Sequence, residues 1–361
     1  MSKKVFVDIH VLQTVPPSCI NRDDTGSPKT AIYGGVNRAR VSSQAWKRAI
    51  RMYFNDVEEG RNQGIRTKSI VALVADEIAK LNTEISEDQA VEMAIKALKD
   101  VGLKIKSAEK GTDSLFFMST AQAKALATIV TENPDAQNKS ISKETKELMK
   151  EALTEHPSPD IALFGRMVAD DPSLNTDASA QVAHAISVNA VENEFDFFTA
   201  VDDCSPEDNA GAGHLGTVEY NSSTLYRYAT VAFHELSKHL KEQSPEALIK
   251  FLEGFVTSMP TGKQNTFANR TLPSYLMVCL REDQPINMVG AFEAPVYPSE
   301  RGVLEPAAER FVNHVKSVYE NFAENPNRCL VVGEELKDLG EKLNFEKLKE
   351  QLAEDLKSYT V

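Results

Sequence analysis

Apolar residues recur loosely at every second position in residues 4–12, and a similar alternation returns in residues 223–233, where Arg227 stands among the otherwise apolar positions. Because successive side chains of a strand point to opposite faces, this spacing predicts two strands of a sheet. A further short strand is predicted at residues 38–41, after the turn Tyr33-Gly34-Gly35, and apolar runs predict strands at residues 161–164 and 275–280. The predicted sheet is therefore assembled from segments that lie far apart in the chain.

Apolar positions three and four residues apart predict helices elsewhere. The first helix begins at Ser42 or Ser43, either of which can cap it, and runs to about Phe54 with Trp46 on its buried side. Residues 69–155 are almost entirely helical in pattern, which indicates a helical insertion into the sheet domain. The helices of this block cover residues 69–81, 86–101 with the capping box Ser86-x-x-Gln89, 119–131 and 140–154. Further helices are predicted at residues 179–190, from Ser244 to just before Pro260, at 304–323 and at 341–358.

Residues 191–218 are acidic and loop-like, with aromatic residues near one end and three glycines near the other, and they predict a protruding hairpin. Exposed aromatic side chains can stack on unpaired bases. For Phe195 and Phe197 burial in a core is the favoured interpretation, whereas for Phe198 and Met167 both interpretations stay open.

The net charge of −13 argues against a nucleic-acid partner, but its distribution changes that picture. Residues 29–53 contain six basic and no acidic residues, which leaves −19 on the rest of the chain. Such a basic stretch can bind a polyanion while the remaining surface repels it. The six residues are Lys29, Arg38, Arg40, Lys47, Arg48 and Arg51.

The basic residues of this stretch coincide with the predicted start of the first helix. Lys47 and Arg51 are one turn apart, and Ser42, Ser43 and Gln44 supply donors at the positive end of the helix dipole. This combination predicts an anion site of the kind that binds phosphates. The alternative is a solvated cationic face.

Two weaker features could also contact a nucleic acid. The turn from Pro260 to Thr266 carries Lys263 and Gln264, but it has no P-loop pattern, and an ordinary loop explains it equally well. Four lysines recur along one face of a predicted helix, where interleaved glutamates favour a solvated face over a second nucleic-acid track. They are Lys139, Lys143, Lys146 and Lys150.

The sequence offers little for metal or cofactor chemistry. Asp23-Asp24 and Asp202-Asp203 could hold Mg²⁺, but aspartate in a turn more often caps its own backbone. The four cysteines have neither disulfide nor zinc spacing. We expect no metal, no cofactor, no membrane segment and no signal peptide, and hence a cytoplasmic protein.

Several motifs, in chain order over the first two-thirds of the sequence, resemble the repeated backbone subunit of the type I-E CRISPR surveillance complex, Cascade. They are Ile9-His10-Val11-Leu12, Pro17-Ser18-Cys19-Ile20-Asn21-Arg22-Asp23-Asp24, Gly34-Gly35, Arg40-Val41-Ser42-Ser43-Gln44-x-x-Lys47-Arg48-Ala49, Asp160-Ile161-Ala162-Leu163-x-Gly165-Arg166-Met167, Phe198-Thr199-Ala200-Val201-Asp202-Asp203 and His214-Leu215-Gly216-Thr217. This is the CasC family of the RAMP superfamily.

The resemblance implies an α+β fold with an RRM-like, or ferredoxin-like, palm, an inserted helical fingers domain and a β-hairpin thumb. We expect the palm to comprise residues 1–58, 159–190 and 219–361, the fingers residues 59–158 and the thumb residues 191–218.

The resemblance also implies a function, in which several copies form a filament on the guide RNA and present it to target DNA beside other Cascade subunits. The residues expected to bind RNA are Arg22, Arg40, Ser42, Ser43, Gln44, Lys47, Arg48, Arg51 and Arg166, with Met167 and Phe198 at a displaced base and Lys263 and Gln264 at the ribose side. The Lys139 to Lys150 face is the expected DNA contact. We expect no catalysis, because this class delegates cutting to a separate nuclease; the alternative is Mg²⁺-dependent RNA cleavage near Asp23 or Asp24.

Overall fold

The computed structural model describes residues 3–57, 62–200 and 214–359. Its strands are β1 (Phe6–Ser18), β2 (Thr30–Tyr33), β3 (Val36–Val41), β4 (Gly64–Thr67), β5 (Ile105–Ser107), β6 (Gly111–Thr112), β7 (Phe116–Ser119), β8 (Ala180–Val182), β9 (Ala185–Ser187), β10 (Glu194–Ala200), β11 (His214–Ala232), β12 (Tyr275–Arg281), β13 (Arg328–Val332) and β14 (Glu341–Lys342). Its α-helices are α1 (Ser43–Val57), α2 (Ile70–Leu81), α3 (Glu87–Asp100), α4 (Thr120–Glu132), α5 (Lys143–Thr154), α6 (Pro159–Phe164), α7 (Phe233–Leu240), α8 (Ser244–Thr257), α9 (Gln264–Phe267), α10 (Leu304–Asn321) and α11 (Phe345–Lys357).

The main sheet is organised around β1, which lies between β11 and β12 and runs antiparallel to both. Ile9 of β1 faces Ala229 on one side and Val278 on the other. Strand β9 pairs with β11 and leads on to β3 and β2. The order β12-β1-β11-β9 places the first and third strands of a βαββαβ unit at the centre, as in a ferredoxin-like domain. The predicted α+β fold with an RRM-like palm is confirmed.

Side chains of the central strands alternate between two hydrophobic cores. Val7 and Ile9 belong to the core beneath α1, α7, α8 and α11, whereas Leu12 belongs to the core beneath α10. In β11, Leu225 belongs to the first of these cores and Tyr226 to the second. Helices therefore cover both faces of the palm sheet, and the nucleic-acid interface has to be sought at its edges.

Helices α2, α3, α4 and α5 enclose a third core of their own. The predicted capping box is present, because Ser86 accepts from the backbone N–H of Gln89 and its own N–H donates to the Gln89 side chain. This core also contains Val168 and Leu174, which follow the predicted end of the fingers. The predicted domain boundaries stay a prediction.

Two predicted elements are wrong. Residues 161–164 belong to helix α6. Ser158 is its N-cap and Pro159 is its first residue. The short apolar run at residues 161–164 resembles a strand, so this helix start is not recognised from the sequence. Residues 179–190 form the strands β8 and β9, because they pair with β11 and β3. That pairing overrides a helix-like apolar spacing.

The predicted hairpin is present. Strand β10 pairs with the first part of β11, from Glu194 opposite Tyr220 to Ala200 opposite His214. We call these two paired segments the thumb hairpin. Within the described residues, no helix is long and apolar enough to span a lipid bilayer.

Candidate nucleic-acid interface

Helix α1 begins at the edge of the palm sheet and has no acidic residue in its first turn. The carbonyl oxygen of Ser42 accepts from the N–H of Ala45 at 3.0 Å, and its hydroxyl oxygen lies 3.4 Å from the same nitrogen. The N–H of Ser42 donates to Oδ1 of Asn21 at 2.9 Å, which ties the loop after β1 to the start of α1. Ser42 is buried in this cap, where its hydroxyl oxygen acts as an acceptor, and its role as an RNA donor stays a prediction. Ser43 and Gln44 remain accessible at the positive end of the helix.

Lys47 and Arg48 lie in the next turn of α1 and carry uncompensated charge. Arg48 is exposed and Lys47 is half-buried. Burial lowers the pKa of Lys47. Within the described part of the chain, neither side chain forms an ion pair or hydrogen bond. We call Gln44, Lys47 and Arg48 the α1 cation site, since it offers two cations and an amide without a bound carboxylate.

Two other basic residues of the stretch are used inside the protein. Arg38 is 0% exposed and donates to the carbonyl oxygens of Ser187, Val188, Phe292 and Glu293. Nε of Arg51 lies 3.5 Å from Oδ2 of Asp160, and its guanidinium covers the Phe117 ring at 4.4 Å. The exposed fractions of the Arg51 and Asp160 side chains are 14% and 3%. Asp160 neutralises the charge of Arg51 within the chain, so Arg51 is not a free cation, and its direct contact with RNA stays a prediction.

Arg166 is also an internal residue, with 4% of its surface exposed. Its guanidinium donates to the carbonyl oxygens of Leu174, Phe117 and Leu153 and to Oε1 of Gln122. Burial lowers its pKa to about 10. Arg166 therefore joins α6 to the helical block, and its predicted RNA contact stays a prediction.

The loop after β1 and the loop before α9 meet beside the start of α1. A Cβ atom at Gly262 would lie 2.4 Å from the carbonyl oxygen of Ile20, so this approach requires glycine. Residues 20–26 and Gly262 line a polar cleft of about 550 Å³. The structure thus joins two segments that are distant in sequence.

Cations from both loops lie close to this junction. Burial raises the pKa of the Cys19 thiol, and the charges of Arg22 and Lys263 both oppose that rise. One thiol therefore lies within reach of both charges. Arg22 is exposed, while Lys263 and Gln264 are half-buried. Arg22 lines the cleft, and Lys263 and Gln264 directly follow its lining residue Gly262 in the chain.

Asp23, in the same loop, stabilises a turn. Its Oδ1 accepts from the N–H and hydroxyl of Thr25 at 2.9 and 2.7 Å and from the N–H of Ser27 at 3.0 Å. These bonds, led by that of the Thr25 hydroxyl, lower the pKa of Asp23. In residues 3–57, 62–200 and 214–359, no group of three or more His, Cys, Asp or Glu side chains could hold a metal ion. Asp202 and Asp203 lie outside the described residues.

The thumb hairpin exposes its aromatic side chains. Phe195 and Phe197 are 65% and 64% exposed, so the favoured interpretation as core residues is wrong, because all of β10 faces solvent. Phe198 is 41% exposed and crosses Gly216, where an added Cβ would lie 2.3 Å from its ring. Met167, after α6, is 84% exposed. Phe198 and Met167 are thus accessible to base faces.

The lysines predicted on a single helical face do not form a continuous track. Helix α5 begins at Lys143, so Lys139 precedes it. Nζ of Lys150 bonds Oδ2 of Asp171 at 2.5 Å. Lys143 pairs with Glu147 at 3.6 Å. The prediction that these residues share one helical face is wrong for Lys139, and Lys150 is occupied by a carboxylate.

The sheet face on which RRM domains stack bases is closed in this chain. Its aromatic positions, His10, Tyr226 and Tyr228, are buried beneath α10. The His10 and Tyr226 rings lie 5.8 and 6.0 Å from the ring of Phe311 in α10. Nucleic acid therefore cannot bind as in an RRM, and the open cations at the start of α1 are the accessible alternative.

Sequence reasoning missed His184, which lies beside Arg40. NH1 of Arg40 contacts Nδ1 of His184 at 3.2 Å, and Nε of Arg40 donates to the Thr30 carbonyl oxygen at 3.1 Å. The pairing of Val41 with Ala185 places His184 opposite the N-cap of α1. The histidine could not be recognised from sequence, because residues 179–190 were predicted as a helix.

Comparison with known proteins identifies one protein family and similar chains in solved structures. The sequence profile of the family described as CT1975-like protein matches residues 7–358. A chain of a solved structure described as "CRISPR RNA-guided surveillance complex, pre-nicking" is similar to this chain with a TM-score of 0.82 and 33% identity, over 97% of this chain and 99% of that chain. A chain of a "CRISPR RNA-guided surveillance complex" is similar with a TM-score of 0.72 and 27% identity, over the same shares. No curated protein matches significantly.

Proposed function

Because the chain belongs to the CT1975-like protein family, we propose that it is a guide-RNA-binding backbone subunit of a CRISPR RNA-guided surveillance complex of the Cascade type. In the more specific form of this proposal the complex is type I-E and the subunit is of the CasC kind. Several copies stack along the guide RNA in the cytoplasm, contact other Cascade subunits and present the guide for pairing with target DNA.

The α1 cation site is the observation that carries the proposal. Lys47 and Arg48 lie beside an open helix start, and no carboxylate neutralises them within the described residues. A half-buried lysine without a partner costs free energy in the isolated chain, and a phosphate would offset that cost. Arg22, Arg40 and Lys263 extend the site along the edge of the palm.

The contacts expected here are independent of base sequence. Cations and helix-start donors hold phosphates, Gln264 lies with Lys263 at the ribose side, and the exposed Phe198 and Met167 offer surfaces to a displaced base. A subunit that must serve any guide needs such contacts, because Watson–Crick pairing selects the target.

We propose further that the subunit does not cut nucleic acid. Asp23 supports this view, since its carboxylate is engaged in the turn from Asp23 to Ser27. Cleavage of RNA near Asp23 or Asp24 remains the alternative outcome of the test below.

The charge distribution supports the proposed stacking of copies. The chain carries −13 overall although its basic stretch is positive. An acidic surface on one copy can attract the basic edge of the next, and such head-to-tail contacts generate open helical filaments.

The test is co-expression of the chain with neighbouring genes and a repeat-spacer transcript, followed by analysis of the copurified RNA. We expect one protected RNA of uniform length, and its loss in the double variant Lys47→Glu/Arg48→Glu. Arg51 is unsuitable for this test because its replacement would leave Asp160 buried and unpaired. The matched control is Lys124→Glu/Lys347→Glu, which reverses two charges on the exposed sides of α4 and α11.

Each alternative has its own outcome. A complex that assembles without RNA in both the wild type and the double variant would show a purely structural protein. RNA that is cut after addition of Mg²⁺ and a complementary strand would establish the nuclease instead.

A further inference from the structure

His184 occupies a turn between β8 and β9 at the edge where α1 begins. In β3 and β9, Val41 lies opposite Ala185, so the antiparallel register continues with Ser42 opposite His184. His184 is exposed, and its ring is therefore open to a ligand that reaches the first turn of α1.

The ring of His184 lies among cations. NH1 of Arg40 is 3.2 Å from its Nδ1. Because a guanidinium can only donate, Nδ1 accepts this bond, and the ring is neutral with its proton on Nε2. The outward-facing Nε2–H is then a free donor.

The charged groups that act on His184 come from two segments of the chain. Burial lowers its pKa, and Arg40 of β3 and Lys29 from the segment before β2 lower it further. Arg40, Lys29 and His184 are thus a cluster of basic side chains, and among the described residues no carboxylate contributes to the pKa shift of His184.

We propose that His184 is a further phosphate ligand of the RNA interface and that it takes up a proton when a phosphodiester binds between it and Arg40. This inference rests on the proposed function. The bound phosphate accepts from Arg40 and from Nε2–H, and its negative charge favours the imidazolium. On protonation Nδ1 gains a hydrogen and can no longer accept from Arg40, so the guanidinium turns to the phosphate.

Proton uptake has a definite direction. A site whose pKa is higher in the complex than in the free chain binds its ligand more tightly as the pH falls through the pKa of the complex. Because a rise of one pKa unit corresponds to a tenfold change in affinity, we expect roughly three- to tenfold tighter binding of a short single-stranded RNA at about pH 6 than at about pH 8.

The experiment compares the wild type with His184→Gln, which retains an amide donor but cannot titrate, and with the control His239→Gln on α7. RNA affinity is measured by fluorescence anisotropy at both pH values at constant salt, and circular dichroism verifies the fold. We expect the pH dependence to vanish in His184→Gln and to persist in the control. The same dependence in His184→Gln as in the wild type would overturn the inference and leave the proposed function intact.

A second readout separates the two proposals. The imidazole proton resonance of His184, assigned by its loss in His184→Gln, is titrated with and without inorganic pyrophosphate. A higher pKa with pyrophosphate supports a phosphate site at His184. If the wild type nevertheless binds no RNA, the proposed function is overturned, and with it the assignment of this site to an RNA interface. An unchanged pKa with either pyrophosphate or RNA would overturn the inference.

Discussion

Replacement of Lys47 by methionine should separate RNA affinity from fold stability. Methionine preserves the length of the half-buried stem and removes only the charge. Burial lowers the pKa of Lys47, so the fold penalises its charged form, and this penalty disappears with the charge. We therefore expect the melting temperature of the RNA-free Lys47→Met variant to equal or exceed that of the wild type.

The loss in RNA binding can be estimated from one phosphate contact. A hydrogen bond to a charged group contributes about 1.5–3 kcal/mol, so affinity should fall roughly 10- to 100-fold. For a single strand, each neutralised phosphate contributes about −0.7 to the slope of log K against log salt. Loss of one contact should make this slope shallower by about 0.7 for each bound protomer. The ratio of wild-type to Lys47→Met affinity should therefore be about 2.6-fold smaller at 200 mM than at 50 mM salt.

The assay is fluorescence anisotropy of a short labelled RNA over a salt series, combined with thermal unfolding of the free proteins. Lys316→Met is the control, because this lysine lies on α10 and pairs with Asp338 at 3.0 Å. A weaker affinity with an unchanged salt slope would refute the phosphate contact. A clear loss of stability would refute the reasoning about burial.

Three further substitutions test other contacts. Arg51→Met should lower the free energy of unfolding by about 1.5–3 kcal/mol in denaturant titrations, because the buried carboxylate of Asp160 loses its cation and keeps only the hydrogen bonds from the Ser158 hydroxyl and the Ile161 N–H. Gly216→Ala should weaken RNA binding by up to roughly tenfold, since its Cβ displaces the Phe198 ring, while stability changes by less than about 0.5 kcal/mol. Burial is the main cause that raises the pKa of Asp8 to about 6, so the folded protein favours the protonated carboxyl. The stability from this proton is complete below about pH 4 and is lost as the pH rises through about 6. Relative to Asp8→Asn, wild-type stability should therefore fall by roughly 3 kcal/mol between about pH 4 and pH 7.

Each of these substitutions has a matched control on an exposed position. Arg48→Met should leave stability within about 0.5 kcal/mol and weaken only RNA binding. Thr217→Ala, next to Gly216, should leave the Phe198 ring in place and RNA affinity unchanged. Asp56→Asn should not alter the pH dependence of stability. Equal losses of stability in Arg51→Met and Arg48→Met would contradict the assignment of Arg51 as an internal residue.

The sequence by itself determined the elements whose signals are local. The alternation in residues 223–233 predicted which side chains of β11 share a face, because a strand repeats every two residues. The capping box at Ser86 located a helix start in the same way. The motif from Arg40 to Ala49 indicated the anion site, because helix-start donors and cations adjoin in the chain.

Only the tertiary structure decided which charges are free. From the sequence, Arg38, Arg51 and Arg166 look like accessible cations. In the fold each of them donates to acceptors from distant segments. Asp160, for example, lies 109 residues from Arg51 in the chain. The sequence also could not assign residues 179–190 to strands, since their partners lie in β3 and β11. Burial and strand pairing depend on contacts between distant residues, so a cation that looks accessible in sequence can be neutralised in the fold, while His184 comes to lie beside Arg40 only when the sheet forms.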